Sequence, residues 1–275
     1  MFAVKTLRSA AKVDFVQATY DLRRNFGRGA YGHKHLVALL ASYEHKEAYH
    51  LIFPWAEGDL FDFWKRHPQP MKTAPMALWL VEQCRGLADG LRVFHRWFSS
   101  DGRLPLLDAV NDENSTAFEW KPLRLFGRHG HIKPENILFF SDQSSRDGYG
   151  ILKLAGFERA AFMETASRQG VVSYSLTYRP PESDLSKSYG SACDVWALGC
   201  VYLEFSTWFC GGMTMLNRSA HQRLEPDNTL GDVLSDTFFS IYDSPQQTRV
   251  KKAKVKEPVV TVSALLGRHR RLQLT

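Results

Sequence analysis

The first part of the chain carries short apolar runs of the kind that form strands. Residues 1–5, His35–Tyr43 and Ala48–Trp55 predict three strands, and the polar turn EHKE joins the last two. A helical pattern from about 13 to 24 and a glycine-containing loop over 27–32 lie between the first two strands. This order predicts a small sheet-rich lobe at the start of the chain.

The second part of the chain is dominated by helical periodicity. Pro75 opens the strongest predicted helix, whose single apolar stripe is formed by Leu80, Cys84, Leu87, Leu91 and Phe94. A second helix is predicted from about Asp194 to Trp208, and beyond Gly211 the pattern weakens, which leaves the C-terminal end undefined. The predicted fold class is therefore α+β, with a small sheet lobe followed by a larger helical lobe.

Two further segments interrupt the helical part. Ile137–Phe140 and Ile151–Leu154 flank the turn-rich stretch SDQSSRDGYG, which predicts a hairpin. The polar segment from about 99 to 121 has no periodicity and is interpreted as a surface insertion.

Composition and charge exclude several classes of protein. The chain has 275 residues, of which 44% are apolar and 23% charged, so it is globular rather than disordered, and no apolar run is long enough for a membrane helix. The net charge of +6 comes largely from clusters at 249–256 and 268–271, which we interpret as solvated faces or a loose tail, so no nucleic-acid partner is expected. Four scattered cysteines without metal or disulfide spacing predict reduced thiols in an intracellular protein, cytoplasmic or nuclear.

A glycine-rich sequence and a group of histidines are interpreted as structural and not as ligand-binding. The literal G-x-G-x-x-G at Gly27–Gly32 follows a helix, which is the wrong place for covering phosphates, so it is interpreted as a connecting loop. The histidines of the first part have no recognisable metal-site spacing and are interpreted as surface or strand-edge residues; they are His33, His35, His45 and His50.

Five fragments occur in a fixed order along the chain, and together they carry a family resemblance. They are FAVK at Phe2–Lys5, HGHIKPEN at His129–Asn136, AGFE at Ala155–Glu158, TYRPPE at Thr177–Glu182 and DVWALG at Asp194–Gly199. This series resembles the protein kinase superfamily, on its serine/threonine branch, from the first residue to about Trp208. The resemblance implies a two-lobe kinase fold. Residues 1–55 would form a partial N-terminal lobe, with the family's third to fifth strands and its first helix, and residues 56–275 would form the C-terminal lobe.

The resemblance assigns candidate nucleotide-binding residues. Lys5 matches the lysine that contacts the phosphates, although Ala18 stands where its glutamate partner is expected and Asp21 is the nearest acid. Ala3 and Leu138 match the residues on either side of the adenine ring, Phe53 matches the gatekeeper, and Trp55 belongs to the hinge. Phe53 and Trp55 fit equally well as plain core aromatics.

The resemblance also implies that this chain lacks residues needed for phosphoryl transfer. His131 stands at the position of the catalytic aspartate, Lys133 matches the catalytic-loop lysine, and Asn136 matches the asparagine that holds magnesium. Gly156 replaces the aspartate that is the other metal ligand, and Glu158 is two residues further on. Because glycine has no ligand atom and magnesium requires an oxygen shell with a carboxylate, ATP and Mg²⁺ are expected to bind weakly or not at all.

Packing positions, in contrast, follow the family pattern. Leu22, Leu39, His129 and Phe157 match the internal hydrophobic spine that joins the lobes, and Asp194 matches the acid at its base. Ser167, Ser173, Ser175 and Thr177 lie in the activation segment, where phosphorylation and an ordinary loop role are both open, with Thr177 expected beside the catalytic loop.

Three hypotheses follow. The first is a pseudokinase that serves as a binding or scaffold domain for a protein partner. The second is an active serine/threonine kinase that uses His131 as base and Asn136 as its main metal ligand, with a protein substrate. The third is a fragment without independent function, whose small lobe has an uncovered sheet edge.

Overall fold

The structure is a computed structural model, and it describes residues 1–7, 33–46, 48–95, 126–141, 149–157, 161–163, 175–185, 190–227, 231, 233–244 and 251–268. The helix predicted over 13–24, the loop over 27–32 and the insertion over 99–121 lie outside these residues. In the described part a small antiparallel sheet precedes a larger lobe of helices and short strands. The predicted mixed α+β class with two lobes is confirmed.

The small sheet contains strands β1 (Phe2–Leu7), β2 (Ala41–His45) and β3 (Ala48–Pro54) in the order β1-β3-β2. Within β3, Leu51 is buried, while His50 and Ile52 next to it are half-exposed. Phe2 and Val4 are exposed on β1, whose described strand partner is β3. The predicted strands over 1–5 and Ala48–Trp55 are confirmed within a few residues.

The predicted strand over His35–Tyr43 is wrong in its first half. The first part of this segment is not in the small sheet, because Leu36 forms a bridge with Leu154 of the hairpin, and hydrogen bonding to β3 begins at Leu40. The N–H of Val37 donates to the Leu154 carbonyl at 2.9 Å, and the N–H of Leu154 donates to the His35 carbonyl at 2.8 Å. The apolar residues here are buried by contact between the lobes, which produces the same apolar run as a strand.

The interpretation of His35 as a surface or strand-edge residue is wrong, since its side chain is only 1% exposed. Its Nδ1–H donates to the carbonyl of Leu152 at 2.8 Å, and its ring lies so close to Gly86 that a Cβ there would be 2.0 Å from Nε2. Burial lowers the pKa of His35 to about 4. The residue is therefore a neutral core histidine rather than a surface one.

The larger lobe starts with a capped helix and the long helix that the apolar stripe predicts. Asp59 ends strand β4 (Gly58–Asp59), and its side chain accepts the N–H of Asp62 at 2.8 Å, which caps helix α1 (Leu60–Arg66). Helix α2 spans Ala74–His95, and Leu80, Leu87, Leu91 and Phe94 of its stripe are buried in the main core. The prediction of this helix is confirmed.

The hairpin predicted around SDQSSRDGYG is present as strands β6 (Ile137–Phe140) and β7 (Ile151–Leu154). Helix α2 holds it in two places. The indole N–H of Trp79 donates to the Gly150 carbonyl at 2.7 Å, and Gln83 Oε1 accepts the N–H of Leu152 at 3.0 Å. These two bonds fix the second strand of the hairpin against α2.

Helix α4 (Ala192–Gln222) begins near the predicted Asp194 but continues well past the predicted end at Trp208. Its backbone is interrupted at Gly212, which has a φ of 68°. The N–H of Met213 donates to the Pro68 carbonyl at 2.8 Å, and a Cβ on Gly212 would be 2.4 Å from that oxygen. Only glycine fits this close approach, and the adjacent glycines obscured the helical pattern.

The remaining elements are short. They are strand β5 (Phe126–Arg128), a 3₁₀ turn (Pro134–Asn136), strand β8 (Ala161–Met163), helix α3 (Glu182–Leu185), strands β9 (Glu225–Asp227), β10 (Val233–Ser235), β11 (Phe239–Asp243) and β12 (Lys251–Val255), and helix α5 (Glu257–Arg268). Strands β9 and β10 form one two-stranded sheet, and β11 and β12 form another. In the part of the chain that the structure describes, no helix is both long and apolar enough to span a membrane. The predicted free state of the cysteines is confirmed at all four positions.

Candidate functional site

The site is built on a loop that follows β5, and a buried carboxylate fixes the backbone of this loop. Asp194, in the first turn of α4, is 1% exposed. Its oxygens accept the N–H of His129 at 2.7 Å and the N–H of Gly130 at 2.8 Å. The Nε2 of His95, at the end of α2, lies 2.9 Å from the same carboxylate. These bonds compensate the cost of burying the charge and set the path of the loop.

The side chain of His129 ties the loop to the segment after β7. Its Nε2–H donates to the Ala155 carbonyl at 2.8 Å, and its Nδ1 accepts the N–H of His131 at 3.2 Å. The ring also packs on Phe157, with centroids 4.8 Å apart. The predicted spine contact of His129 with Phe157 and the anchoring role of Asp194 are confirmed. Leu39 is buried in the same core cluster, and Leu22 lies outside the described residues.

The side chain of Asn136 fills the space where a side chain on residue 156 would begin. Gly156 has a φ of 79°, in the left-handed region, and a Cβ placed on it would be 2.6 Å from Asn136 Cγ, 2.7 Å from Nδ2 and 2.8 Å from Oδ1. The Asn136 amide is held there by donating from Nδ2 to the His131 carbonyl at 2.7 Å. The N–H of Ala155 in turn donates to the Asn136 carbonyl at 2.9 Å. Asn136 therefore fills the place where a side chain of residue 156 would start.

His131 and Lys133 lie on the same loop, which follows strand β5. His131 lines a narrow crevice with Ser175 and Tyr178. The Lys133 ammonium lies 3.8 Å from Glu135, and both side chains are partly exposed, so the attraction is weak. The loop thus presents an imidazole and an ammonium group where phosphoryl transfer uses a carboxylate and an ammonium group.

The candidate adenine and phosphate contacts of the small lobe share one face of the sheet. Ala3 pairs with Phe53 and Lys5 pairs with Leu51 between β1 and β3, and directly opposed residues point to the same side. Leu51 is buried, and Phe53 packs against the main core. The Lys5 side chain is exposed. Its predicted partner positions, Ala18 and Asp21, lie outside the described residues.

The hinge connects this sheet to the hairpin. The N–H of Glu57 donates to the Phe139 carbonyl at 3.0 Å, and Asp59 pairs with Leu138 across β4 and β6. Leu138 is thereby placed next to the hinge, as its candidate role requires. Trp55 is 53% exposed, so it is not a core aromatic.

The end of the activation segment enters a buried network. The Tyr178 hydroxyl donates to Glu204 at 2.6 Å, and Arg223 Nη2 donates to the other oxygen of Glu204 at 2.8 Å. Burial raises the pKa of Glu204, although the Arg223 guanidinium opposes the rise. Burial and the nearby Glu204 carboxylate also raise the pKa of Tyr178. The network holds the TYRPPE segment against α4.

Thr177 was expected beside the catalytic loop, but its hydroxyl donates to the carboxylate of Asp236 at 2.6 Å. Asp236 follows β10 and belongs to no motif, so its contact with Thr177 could not be predicted from the sequence. Arg223 and His95 were missed for a similar reason, since each acts through a partner distant in the chain. The serine of the crevice, Ser175, was named only as an activation-segment residue.

Several other predictions fall on residues that the structure does not describe. They concern Glu158 after Phe157, the Gly27–Gly32 motif and the segment serines Ser167 and Ser173.

The described residues do not fit a magnesium site of the expected kind. Gly156 offers no ligand atom, and the Asn136 amide fills the space from which a carboxylate would reach the metal. Among the described residues no group of at least three histidine, cysteine, aspartate or glutamate side chains could hold a metal ion. The loop keeps Lys133 and Asn136, whereas His131 and Gly156 stand where a phosphoryl-transfer site has aspartates.

Comparison with known proteins shows similarity to protein kinases. A family model described as "Protein kinase domain" matches residues 128–230. Cyclin-dependent kinase E-1 of Arabidopsis thaliana is 42% identical over 84 residues, which is 29% of this chain and 17% of that protein. Serine/threonine-protein kinase ATG1 of Pichia angusta is 27% identical over 191 residues, or 62% of this chain and 22% of that protein.

A third relative, cyclin-dependent kinase-like 4 of Homo sapiens, is 27% identical over 176 residues, which is 64% of this chain and 36% of that protein. The chain spans well under half the length of each of these curated relatives. The segment that matches the family model, residues 128–230, contains the loop, the hairpin and helix α4 described above.

Proposed function

We propose that the chain is a pseudokinase of serine/threonine kinase type, because residues 128–230 match the protein kinase domain model and the chain is similar to curated protein kinases. Its kinase-like fold serves as a binding or scaffold domain for a protein partner, and its capacity to transfer phosphate is impaired. A kinase fold accommodates active and inactive members alike, so this conclusion depends on the site and not on the family.

The single observation that carries the proposal is the relation between Gly156 and Asn136. A magnesium ion beside the triphosphate needs oxygen ligands that include a carboxylate. Here residue 156 has no side chain, and the Asn136 amide occupies the space where one would begin, held by its bond to the His131 carbonyl. The site differs from an active one in both composition and packing.

The retained packing supports a folded binding domain. Asp194, His129 and Phe157 keep the contacts that join the loop, the hairpin and α4. These residues carry no chemistry of transfer, yet they require a well-ordered core. A domain that lacks the two aspartates of the transfer site and keeps this core is suited to present a binding surface.

Nucleotide binding is weak or absent in this proposal. Lys5 is exposed on β1, and Trp55 is exposed at the hinge, whereas Ala3, Phe53 and Leu138 still offer an apolar setting for a ring. Apolar contact alone gives little affinity for a triphosphate whose charge is not neutralised. We place the protein inside the cell, in the cytoplasm or nucleus, where its cysteines stay reduced.

A transfer assay tests the proposal. The purified chain is incubated with γ-³²P-ATP, magnesium or manganese, and casein or myelin basic protein, beside an active serine/threonine kinase as positive control. We expect no labelling above that of the Lys5→Met and Asn136→Ala variants. Labelling that both substitutions abolish would contradict the proposal and would support an active enzyme with His131 as its base.

A further inference from the structure

A cavity of about 410 Å³ lies between the two small sheets of the C-terminal part. One wall is strand β9, and the other is formed by β11 and the end of β12. Arg179 of the TYRPPE segment closes one side. The volume is within the range of ligand-binding clefts. Most of the cavity is formed by residues beyond the segment that matches the kinase family model, which ends at residue 230.

The wall formed by β11 is a strand edge. Consecutive residues of this strand, Phe239 to Tyr242, line the cavity, so its backbone and not only one of its faces borders the space. Among the described residues β11 pairs with β12 alone. The cavity side of β11 therefore has no strand partner in the described part of the chain.

The register shows which backbone groups of β11 point away from β12. The N–H of Lys256 donates to the Phe238 carbonyl, which makes their pair a hydrogen-bonded one. Hydrogen-bonded and non-hydrogen-bonded pairs alternate along an antiparallel ladder. Ile241, which pairs with Ala253, is then in a non-hydrogen-bonded pair, and its N–H and C=O point away from β12. These are the groups that an added strand would use.

The acidic groups of the cavity are neutralised, and a lysine is left on its border. Arg179 pairs with Asp227, and Lys256 lies 3.5 Å from Glu225. Lys254 is exposed and lines the cavity with its ammonium group 5.8 Å from the centre of the Tyr242 ring. Among the described residues no carboxylate lies within 4.0 Å of this ammonium group. The uncompensated charge of the cleft is therefore positive.

Two further features, a second lysine and a buried hydroxyl, suit the cleft to a polar, negatively charged ligand. Lys252 is on the same face of β12 as Lys254, because alternate residues of a strand share a face. The hydroxyl of Ser235, which is buried and lines the cavity, has no hydrogen-bond partner among the described residues. A buried hydroxyl without a partner is unusual and is satisfied when a polar ligand enters.

We propose that the cleft binds an extended acidic segment of a partner protein, which adds as a strand to the free edge of β11. Backbone hydrogen bonds to Ile241 would supply the affinity common to strand addition, and Lys254 would select acidic side chains. The inference rests on the proposed scaffold function, since it names where a partner binds. It does not involve the nucleotide site.

Binding is measured by fluorescence anisotropy with the full chain and no nucleotide. The probe is a fluorescein-labelled peptide of alternating glutamate and valine, which favours an extended form and carries negative charge. We expect saturable binding that weakens as salt is added. The fully N-methylated analogue keeps the charge but has no N–H to donate, so we expect it to bind at least about tenfold more weakly.

Variants of the chain locate the site. Lys254→Glu should weaken binding by about fivefold to tenfold, because an attraction becomes a repulsion. Lys251→Glu is the matched control, since Lys251 lies on the other face of β12 and does not line the cavity, and we expect less than about a twofold effect. Ile241→Pro removes the edge N–H, and proline is tolerated where this group faces away from the ladder.

Three results would overturn the inference. The first is equal binding of the peptide and its N-methylated analogue, and the second is equal weakening by Lys254→Glu and Lys251→Glu. The third is self-association of the chain that Ile241→Pro abolishes, because the occupant would then be a second copy. If Ile241→Pro does not fold, the peptide pair still decides. Because the assay contains no ATP, its failure is distinct from a failure of the proposed loss of transfer.

Discussion

Substitution of Gly156 by aspartate is the change that would restore the family's residue, and we expect it to destabilise the chain rather than repair the site. The aspartate must adopt a φ of 79°, and its Cβ must displace the Asn136 amide, which lies 2.6–2.8 Å away. To move, Asn136 must break its 2.7 Å hydrogen bond to the His131 carbonyl. The introduced carboxylate therefore enters a site that is already filled.

The cost can be worked out in two parts. A non-glycine residue in the left-handed region costs about 1 kcal/mol. The lost hydrogen bond of Asn136 costs about 1 kcal/mol more. Together, Gly156→Asp should lower the free energy of unfolding by about 2 kcal/mol.

Gly231 offers a matched control for the backbone part. Its φ of 72° is nearly the same, but no described atom lies within 4 Å of its Cβ position. Gly231→Asp should therefore cost about 1 kcal/mol. In the Asn136→Ala background, which removes the clashing amide, Gly156→Asp should cost about the same 1 kcal/mol.

Urea unfolding of the four variants and the parent chain, followed by circular dichroism, gives these differences. A coupling of about 1 kcal/mol between positions 136 and 156 is the result that the packing predicts. If Gly156→Asp costs no more than Gly231→Asp, or if Asn136→Ala leaves its cost unchanged, the Asn136 amide does not fill the site. The main support for the proposed loss of metal binding would then be removed.

Other predictions concern the buried polar groups. Arg223→Met should lower the free energy of unfolding by about 3–5 kcal/mol, because it leaves the Glu204 carboxylate buried without its cationic partner, whereas Arg92→Met at an exposed ion pair should cost less than about 1 kcal/mol in the same urea assay. A similar loss in both variants would contradict the role of the network. His35 is neutral in the folded chain, with a pKa of about 4 against 6.5 in the unfolded chain. The unfolded state therefore binds more protons, and the stability of the chain decreases as the pH is lowered. From pH 7 to 5 this histidine should remove about 2 kcal/mol, and His35→Gln should flatten that part of the stability profile; an unchanged slope would refute the assignment.

The sequence predicted best those features that local motifs determine. His129, Phe157 and Asp194 were placed correctly because their spacing within short fragments fixes a loop and a helix start. The apolar stripe of α2 was equally clear, since helical periodicity is a local property. In each case the residues that decide the structure are near one another in the chain.

The failures arose where distant residues meet. The burial of His35 depends on Leu152 and Gly86, which no local pattern connects to it. The contact of Thr177 with Asp236 joins residues from separate elements. The four strands from β9 to β12 were not predicted, because each is short and β12, with the sequence KKAKV, is mostly exposed and polar.

The candidate site illustrates both cases. Its residue types at positions 131, 133, 136 and 156 could be taken from the motifs, and the absence of aspartate at positions 131 and 156 is the basis of the hypothesis of impaired transfer. That Asn136 packs into the space beside Gly156 could not be predicted, because it depends on the φ of one residue and the rotamer of the other. The assignment of the nucleotide-binding residues stays a prediction.

The most direct test of the proposed function is the thermal melting of the purified chain with millimolar ATP, first in magnesium and then in EDTA. A ligand at a hundred times its dissociation constant would add about 2.7 kcal/mol of stability, which for a chain of this size raises the midpoint by several degrees. We expect a cooperative melt whose midpoint is the same with ATP in magnesium, with ATP in EDTA and without ATP. A rise in the midpoint that requires both ATP and magnesium would contradict the account, and the absence of a cooperative melt would favour a fragment without independent function.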